Sequence, residues 1–122
     1  MSKPCILIVD DEPDVVTMLQ RVLVAEGFEV LTAYDGLAAL DFAENDQPDL
    51  ILLDIMMPMM SGYETCAQLK QNPQTQKIPV LCLSSANSPE VRDKAQKAGA
   101  QALLNKPILP QELVAQLKRY LP

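Results

Sequence analysis

Three runs in this chain are apolar without interruption: Ile6-Leu7-Ile8-Val9, Leu50-Ile51-Leu52-Leu53 and Val80-Leu81-Cys82-Leu83. A strand with one face in water alternates apolar and polar residues, whereas a strand covered on both faces does not. The runs therefore read as interior strands of a parallel sheet with a layer on each side. Their full extents are Cys5–Asp10, Asp49–Asp54 and Val80–Ser84, and two weaker runs, Glu29–Ala33 and Ala102–Lys106, complete a set of five.

Helical patterns separate the strands. Pro13 suits a first helical turn, Val15, Met18, Leu19, Val22 and Leu23 recur at helical spacing, and Gly27 ends the pattern. Asp35-Gly36 opens a second helix with Leu37, Leu40 and Ala43 on one side. Ser61-Gly62 opens a third that runs to Asn72-Pro73, Ser88-Pro89 opens a fourth that ends at Gly99, and Pro110 opens a fifth with Leu113, Val114, Leu117 and Leu121. Leu109 before it is a poor cap. Strict βα alternation, five times over, predicts an α/β fold with a parallel sheet and right-handed crossovers, one domain over residues 1–122.

Composition narrows the chemistry. Hydrophobic residues make up 48% of the 122, enough to build a core without metal or disulfide support. Five aromatic rings and no Trp make that core aliphatic. Histidine is absent, which removes the usual zinc ligand, the usual general base and the Ser-His-Asp triad. Cys5, Cys66 and Cys82 are scattered and odd in number, so they form no disulfide framework and suit a reducing compartment. The N-terminus shows no signal-peptide pattern, and the longest apolar stretch, Leu50 to Met60, is broken by Asp54 and Pro58. A soluble, cytoplasmic protein without a membrane partner is expected.

Net charge is −6 and unevenly spread. Residues 1–64 carry thirteen acids and two bases, while residues 65–122 carry three acids and eight bases. The bases are scattered and not interleaved with rings, so direct nucleic-acid binding is not expected.

In an open parallel sheet the binding crevice lies at the carboxyl ends of the strands. Those ends carry Asp10-Asp11-Glu12, Asp54, Ser84-Ser85 and Lys106. Any one of these alone reads equally as a polar strand terminus or a complement to a helix dipole. Together they concentrate carboxylates that repel one another unless a cation compensates. Oxygen donors without histidine point to Mg²⁺. A carboxylate beside Mg²⁺ and a fixed lysine can attack phosphorus, with the hydroxyl and ammonium holding the phosphoryl oxygens.

Over nearly its whole length the chain resembles the receiver domain of two-component response regulators. The matching pieces are Ile8-Val9-Asp10-Asp11-Glu12, Asp35-Gly36, Leu52-Leu53-Asp54-Ile55-Met56-Met57-Pro58, Gly62, Ser84, Ala98-Gly99-Ala100 and Lys106-Pro107. The resemblance implies a doubly wound, flavodoxin-like sheet of order 2-1-3-4-5 with five helices. It implies that Asp54 accepts a phosphoryl group from a histidine kinase or phosphotransfer protein. Asp11 and the Met56 carbonyl would ligate Mg²⁺ beside Asp54, Asp10 would help through water, Ser84 would be the switch hydroxyl, and Lys106 would contact the phosphoryl group. It further implies a cis Lys106–Pro107 bond and a downstream effector or a fused output domain. Such a chain is a phosphorylation-activated signalling module, not an enzyme.

Departures from the family's pattern carry expectations of their own. Relatives often have Tyr or Phe where this chain has Leu103, so the signal is expected to leave through Ala86–Glu90 and, second, through the methionine loop after Asp54. Met56 and Ala86 offer no polar group to orient a hydrolytic water, so a long-lived phosphorylated state is expected. Met56, Met57, Met59 and Met60 read as adaptable packing or a partner-facing loop rather than a copper site. Two rival readings fit the residues less well. A haloacid-dehalogenase-like phosphohydrolase wants an Asp-x-Asp pair on its first strand, whereas Asp10 and Asp11 are adjacent and Asp54 lies on the third strand. A purely structural interaction module would have no need of the site residues.

Overall fold

The computed structural model describes residues 3–122. The elements are β1 (Cys5–Val9), α1 (Pro13–Ala25), β2 (Glu29–Ala33), α2 (Gly36–Asp46), β3 (Leu50–Asp54), α3 (Gly62–Gln71), β4 (Val80–Ser84), α4 (Pro89–Ala98), β5 (Ala102–Asn105) and α5 (Pro110–Tyr120). All strand pairs are parallel, and the sheet order is β2-β1-β3-β4-β5. The expected architecture is therefore the observed one, with strand limits trimmed by a residue: Asp10, Asp49 and Lys106 lie just outside their strands.

Side-chain alternation explains the uninterrupted apolar runs. Leu7, Val9, Ile51, Leu53, Val80 and Cys82 face a core shared with α2, α3 and α4. Ile6, Ile8, Leu50, Leu52, Leu81 and Leu83 face a second core shared with α1 and α5. Both faces of β1, β3 and β4 are thus dry, and the polar residues of β3 and β4, Asp54 and Ser84, are confined to their carboxyl ends. The edge strands β2 and β5 are only partly covered, which is why their sequences are weaker.

Helix starts follow capping chemistry. The Asp35 carboxylate accepts from the Ala38 N–H at 2.8 Å, the Ser61 hydroxyl from Glu64 at 3.2 Å and the Ser88 hydroxyl from Val91 at 3.3 Å. Gly99, at φ +101°, ends α4 in the left-handed conformation that favours glycine. Pro110 opens α5, but Leu109 offers no side-chain cap.

Two expectations about faces need correction. In α2 the buried residues are Gly36, Ala39 and Ala43, while Leu37 stands 64% exposed. The cause is at Gly36, where an added Cβ would lie 2.7 Å from the Met60 sulfur. Met60 and Thr65 pack against Gly36, so α2 presents its small residues Gly36, Ala39 and Ala43 inward and Leu37 faces water. In α1 the buried set is Val16, Leu19 and Leu23, and Met18 is exposed. Cys66 and Cys82 are buried, as their apolar surroundings suggest, and Cys5 is partly so.

Two stability changes follow. Leu109→Ser supplies the missing cap and should raise unfolding free energy by about 1 kcal/mol in urea titration. Gly62→Ala should lower it by roughly 1–3 kcal/mol, because its Cβ would collide with the Asp54 carbonyl oxygen and lie 2.6 Å from the Ile55 Cα.

Candidate functional site

Parallel register brings the strand ends to one edge. Val9 is level with Leu53, Asp54 with Leu83, and Ser84 with Asn105. Asp10 leaves β1 with its N–H still bonded to the Ala33 carbonyl of β2, and Lys106 leaves β5 bonded to the Ser84 carbonyl of β4. Asp10, Asp54 and Ser84 are each no more than 3% exposed. Polar groups so deeply placed require partners.

Lys106 supplies one to each of the two carboxylates. Its ammonium lies 2.7 Å from Asp10 Oδ2 and 3.2 Å from Asp54 Oδ1, reaching across β4 to join two carboxylates from neighbouring strands. Asp10 Oδ1 also accepts from the Glu12 N–H at 3.0 Å, and Asp54 Oδ1 from the Met56 N–H at 3.4 Å. The Lys106–Pro107 peptide is cis, as the family resemblance implies.

The electrostatics are unequal. Burial and the nearby Asp10 charge hold the Asp54 carboxyl above its ordinary range, and the opposing pull of Lys106 and the Met56 N–H does not fully offset them. Burial works against the Lys106 charge, but its bond to Asp10 and the charge of Asp54 more than compensate, so the ammonium is held above its ordinary value. The corner therefore contains a firmly charged cation and a carboxylate short of compensating charge.

Asp10, Asp11 and Glu12 each place a carboxylate oxygen within 4.8 Å of the others. Glu12 appears in the acidic run of the sequence, but no role follows from its position alone. Here it joins the acidic cluster, and its N–H steers Asp10. Asp54 lies outside that triplet and is tied to it through Lys106. The donor set is all oxygen, which fits a hard divalent cation such as Mg²⁺.

Ser84 ends β4 beside Asp54, and its hydroxyl accepts from the Ala86 N–H at 3.0 Å. That bond leaves its hydrogen to donate elsewhere. Residues 85–90 beyond it are exposed, whereas Leu103 is partly buried against the α2–α4 core. Gly62 opens α3, and its N–H bonds the Ile55 carbonyl at 2.8 Å, which folds the loop after Asp54 back onto β3. Met57 is buried in that loop, while Met56 and Met59 are exposed.

Comparison with known proteins agrees with this arrangement. A sequence profile described as the response regulator receiver domain matches residues 6–118. The alkaline phosphatase synthesis transcriptional regulatory protein PhoP of Bacillus subtilis is 41% identical over 116 residues, covering 95% of this chain and 48% of that protein. The chain spans about half, or less, of the length of the curated relatives it matches. Among solved structures, the chemotaxis protein CheY4 of Vibrio cholerae superposes with a TM-score of 0.94 at 34% identity, covering 98% of this chain and 100% of that one. The receiver domain of sensor histidine kinase PA1611 from Pseudomonas aeruginosa, solved with a magnesium ion in its active-site cleft, gives a TM-score of 0.91 at 28% identity and covers 98% of each chain. Among the described residues no helix is long and apolar enough to cross a membrane. The fold, the edge that gathers Asp10, Asp54, Ser84 and Lys106, and the match over residues 6–118 lead to one conclusion: this chain belongs to the response regulator receiver domain family.

Proposed function

We propose that Asp54 is the phospho-acceptor of this receiver. The observation that carries the reading is the Lys106 ammonium 3.2 Å from Asp54 Oδ1 at the carboxyl edge of the sheet. An Asp54 carboxylate oxygen attacks the phosphorus of a phosphohistidine, the O–P bond forms as the P–N bond breaks, and the imidazole leaves with the electron pair. The phosphoryl group stays on this chain, which acts as a stoichiometric acceptor rather than a turnover enzyme. A histidine kinase or phosphotransfer protein is the donor class, in the cytoplasm. The receiver signals to a downstream effector or a linked output domain.

Each residue has a part in that step. Burial and the Asp10 charge leave the Asp54 carboxylate under-compensated, which favours its capture of an electrophile. Lys106 is placed to follow the incoming phosphoryl oxygens, and Ser84 to donate to one of them. Asp10, Asp11, Asp54 and the Met56 carbonyl would hold Mg²⁺. When bound, the ion supplies positive charge beside the phosphoryl oxygens. Redirection of the Ser84 hydroxyl would release the Ala86 N–H, and the exposed segment 85–90 carries the change outward. Met56 and Ala86 provide no polar side chain to orient a hydrolytic water, which favours a long-lived phosphorylated state.

Acetyl phosphate with Mg²⁺ should add one phosphoryl group, seen by intact mass. Asp54→Asn and chelation with EDTA should each abolish the addition, and Lys106→Met should slow it by about 10²-fold. Labelling of Asp54→Asn at the wild-type rate would refute the assignment.

Asp54 also sets a pH dependence. A carboxyl held above its unfolded value stabilises the fold while protonated, and that contribution is lost as pH rises through the elevated value. In EDTA, Asp54→Asn should therefore unfold at a higher temperature than wild type at neutral pH. The gain should vanish as pH falls below about 4. A lower midpoint for Asp54→Asn at neutral pH would show that attraction to Lys106, not burial and repulsion, dominates.

A further inference from the structure

Tyr34, Leu37, Met56 and Met59 are 48, 64, 69 and 101% exposed. Tyr34 lies in the turn after β2, Leu37 in the first turn of α2, and Met56 and Met59 in the loop after β3, which packs on the start of α2. Met60 lies across Gly36, where an added Cβ would sit 2.7 Å from its sulfur and 2.5 Å from Thr65 Oγ1. Leu37 follows Gly36 and Met59 precedes Met60, so two exposed apolar side chains flank one packed contact. Met59 is also held at φ +68°, a backbone conformation that bulky L-residues rarely adopt. A methionine held wholly in water beside other exposed apolar side chains is the kind of surface that a partner covers.

Charge indicates what kind of partner. Asp35 and Asp41 beside the patch are exposed, and Asp11 and Glu12 lie at the adjoining strand end. Only two bases, Lys3 and Arg21, occur among residues 1–64, against thirteen acids. Lys3 precedes β1 at the opposite end of the sheet, and Arg21 lies on α1, which packs on the other sheet face. On its α2 and β1 sides the patch is bordered by acid, while the nearest bases are Lys94, over the Tyr63 ring on the α3 side, and Lys106, already paired with Asp10 and Asp54; cationic side chains complement the acidic sides. Unbranched methionines adapt to irregular apolar partners.

We propose that Tyr34, Leu37, Met56 and Met59 form a docking surface for a basic amphipathic segment of another protein, apolar side chains flanked by Lys or Arg. The proposal does not rest on phosphorylation of Asp54. The test uses fluorescence anisotropy with a labelled amphipathic peptide of Leu and Lys, alongside its Leu/Glu counterpart. The variant is Leu37→Gln with Met59→Asn; asparagine tolerates positive φ, and unfolding midpoints verify the fold. The Leu/Lys peptide should bind wild type in preference to the Leu/Glu peptide. Its binding should weaken at least about tenfold in the double variant, persist in Asp54→Asn and be unaltered by Met18→Gln, an exposed methionine on α1. Wild-type affinity in the double variant, or an equal loss in Met18→Gln, would mean diffuse charge attraction and would overturn the proposal. Sedimentation of the protein alone gives the other arm. A monomer supports the proposal, and self-association abolished by the double variant would assign the patch to a second copy and overturn it.

Discussion

Lys106 reaches from β5 across β4 to join Asp10 of β1 and Asp54 of β3. Two carboxylates, each at most 3% exposed, stand on adjacent strands at one edge. Without a cation between them, burial and mutual repulsion would act together against the fold. The ammonium makes the arrangement tolerable without neutralising it, since Asp54 remains above its ordinary carboxyl range. That remaining imbalance links structure to function: the corner can be improved by further positive charge and by transfer of the Asp54 charge to a larger, better-bonded anion. The doubly covered sheet is the platform that fixes these groups, because its register puts the strand ends level.

Most of the architecture could be read from the sequence, because burial on both faces leaves a run such as Leu50–Leu53 with no alternative environment. The site could be read for a related reason, since Asp10, Asp54, Ser84 and Lys106 are the polar residues at which apolar strands stop. Side-chain seats set by contacts remote in sequence could not be read. Leu37 has helical spacing with Leu40, yet it stands in water while Gly36, against which Met60 from the loop before α3 packs, faces inward. Nothing in its sequence context marks Lys70, yet its ammonium bonds the Ile78 carbonyl at 2.6 Å and holds the connection before β4. The part of Glu12 was hidden too, because it acts on Asp10 through its backbone N–H.

The charge asymmetry of the sequence becomes spatial in the fold. The first three strands make one side of the sheet, β2-β1-β3, and the last two make the other. Acidic and basic halves of the chain therefore lie at opposite sides of one molecule. Such a separation orients approaching partners before contact. The exposed methionines after Asp54 lie on the acidic side, next to the residues proposed to carry the reaction.

The reactivity of the corner turns on the balance of forces at Asp54, and a carbon-detected NMR titration of its carboxyl group, without divalent metal, measures that balance directly. Asp54 should titrate above an ordinary aspartate in the wild-type protein, and higher still in Lys106→Met, where the compensating ammonium is gone. Titration at or below the ordinary aspartate value, or no response to the loss of Lys106, would contradict it.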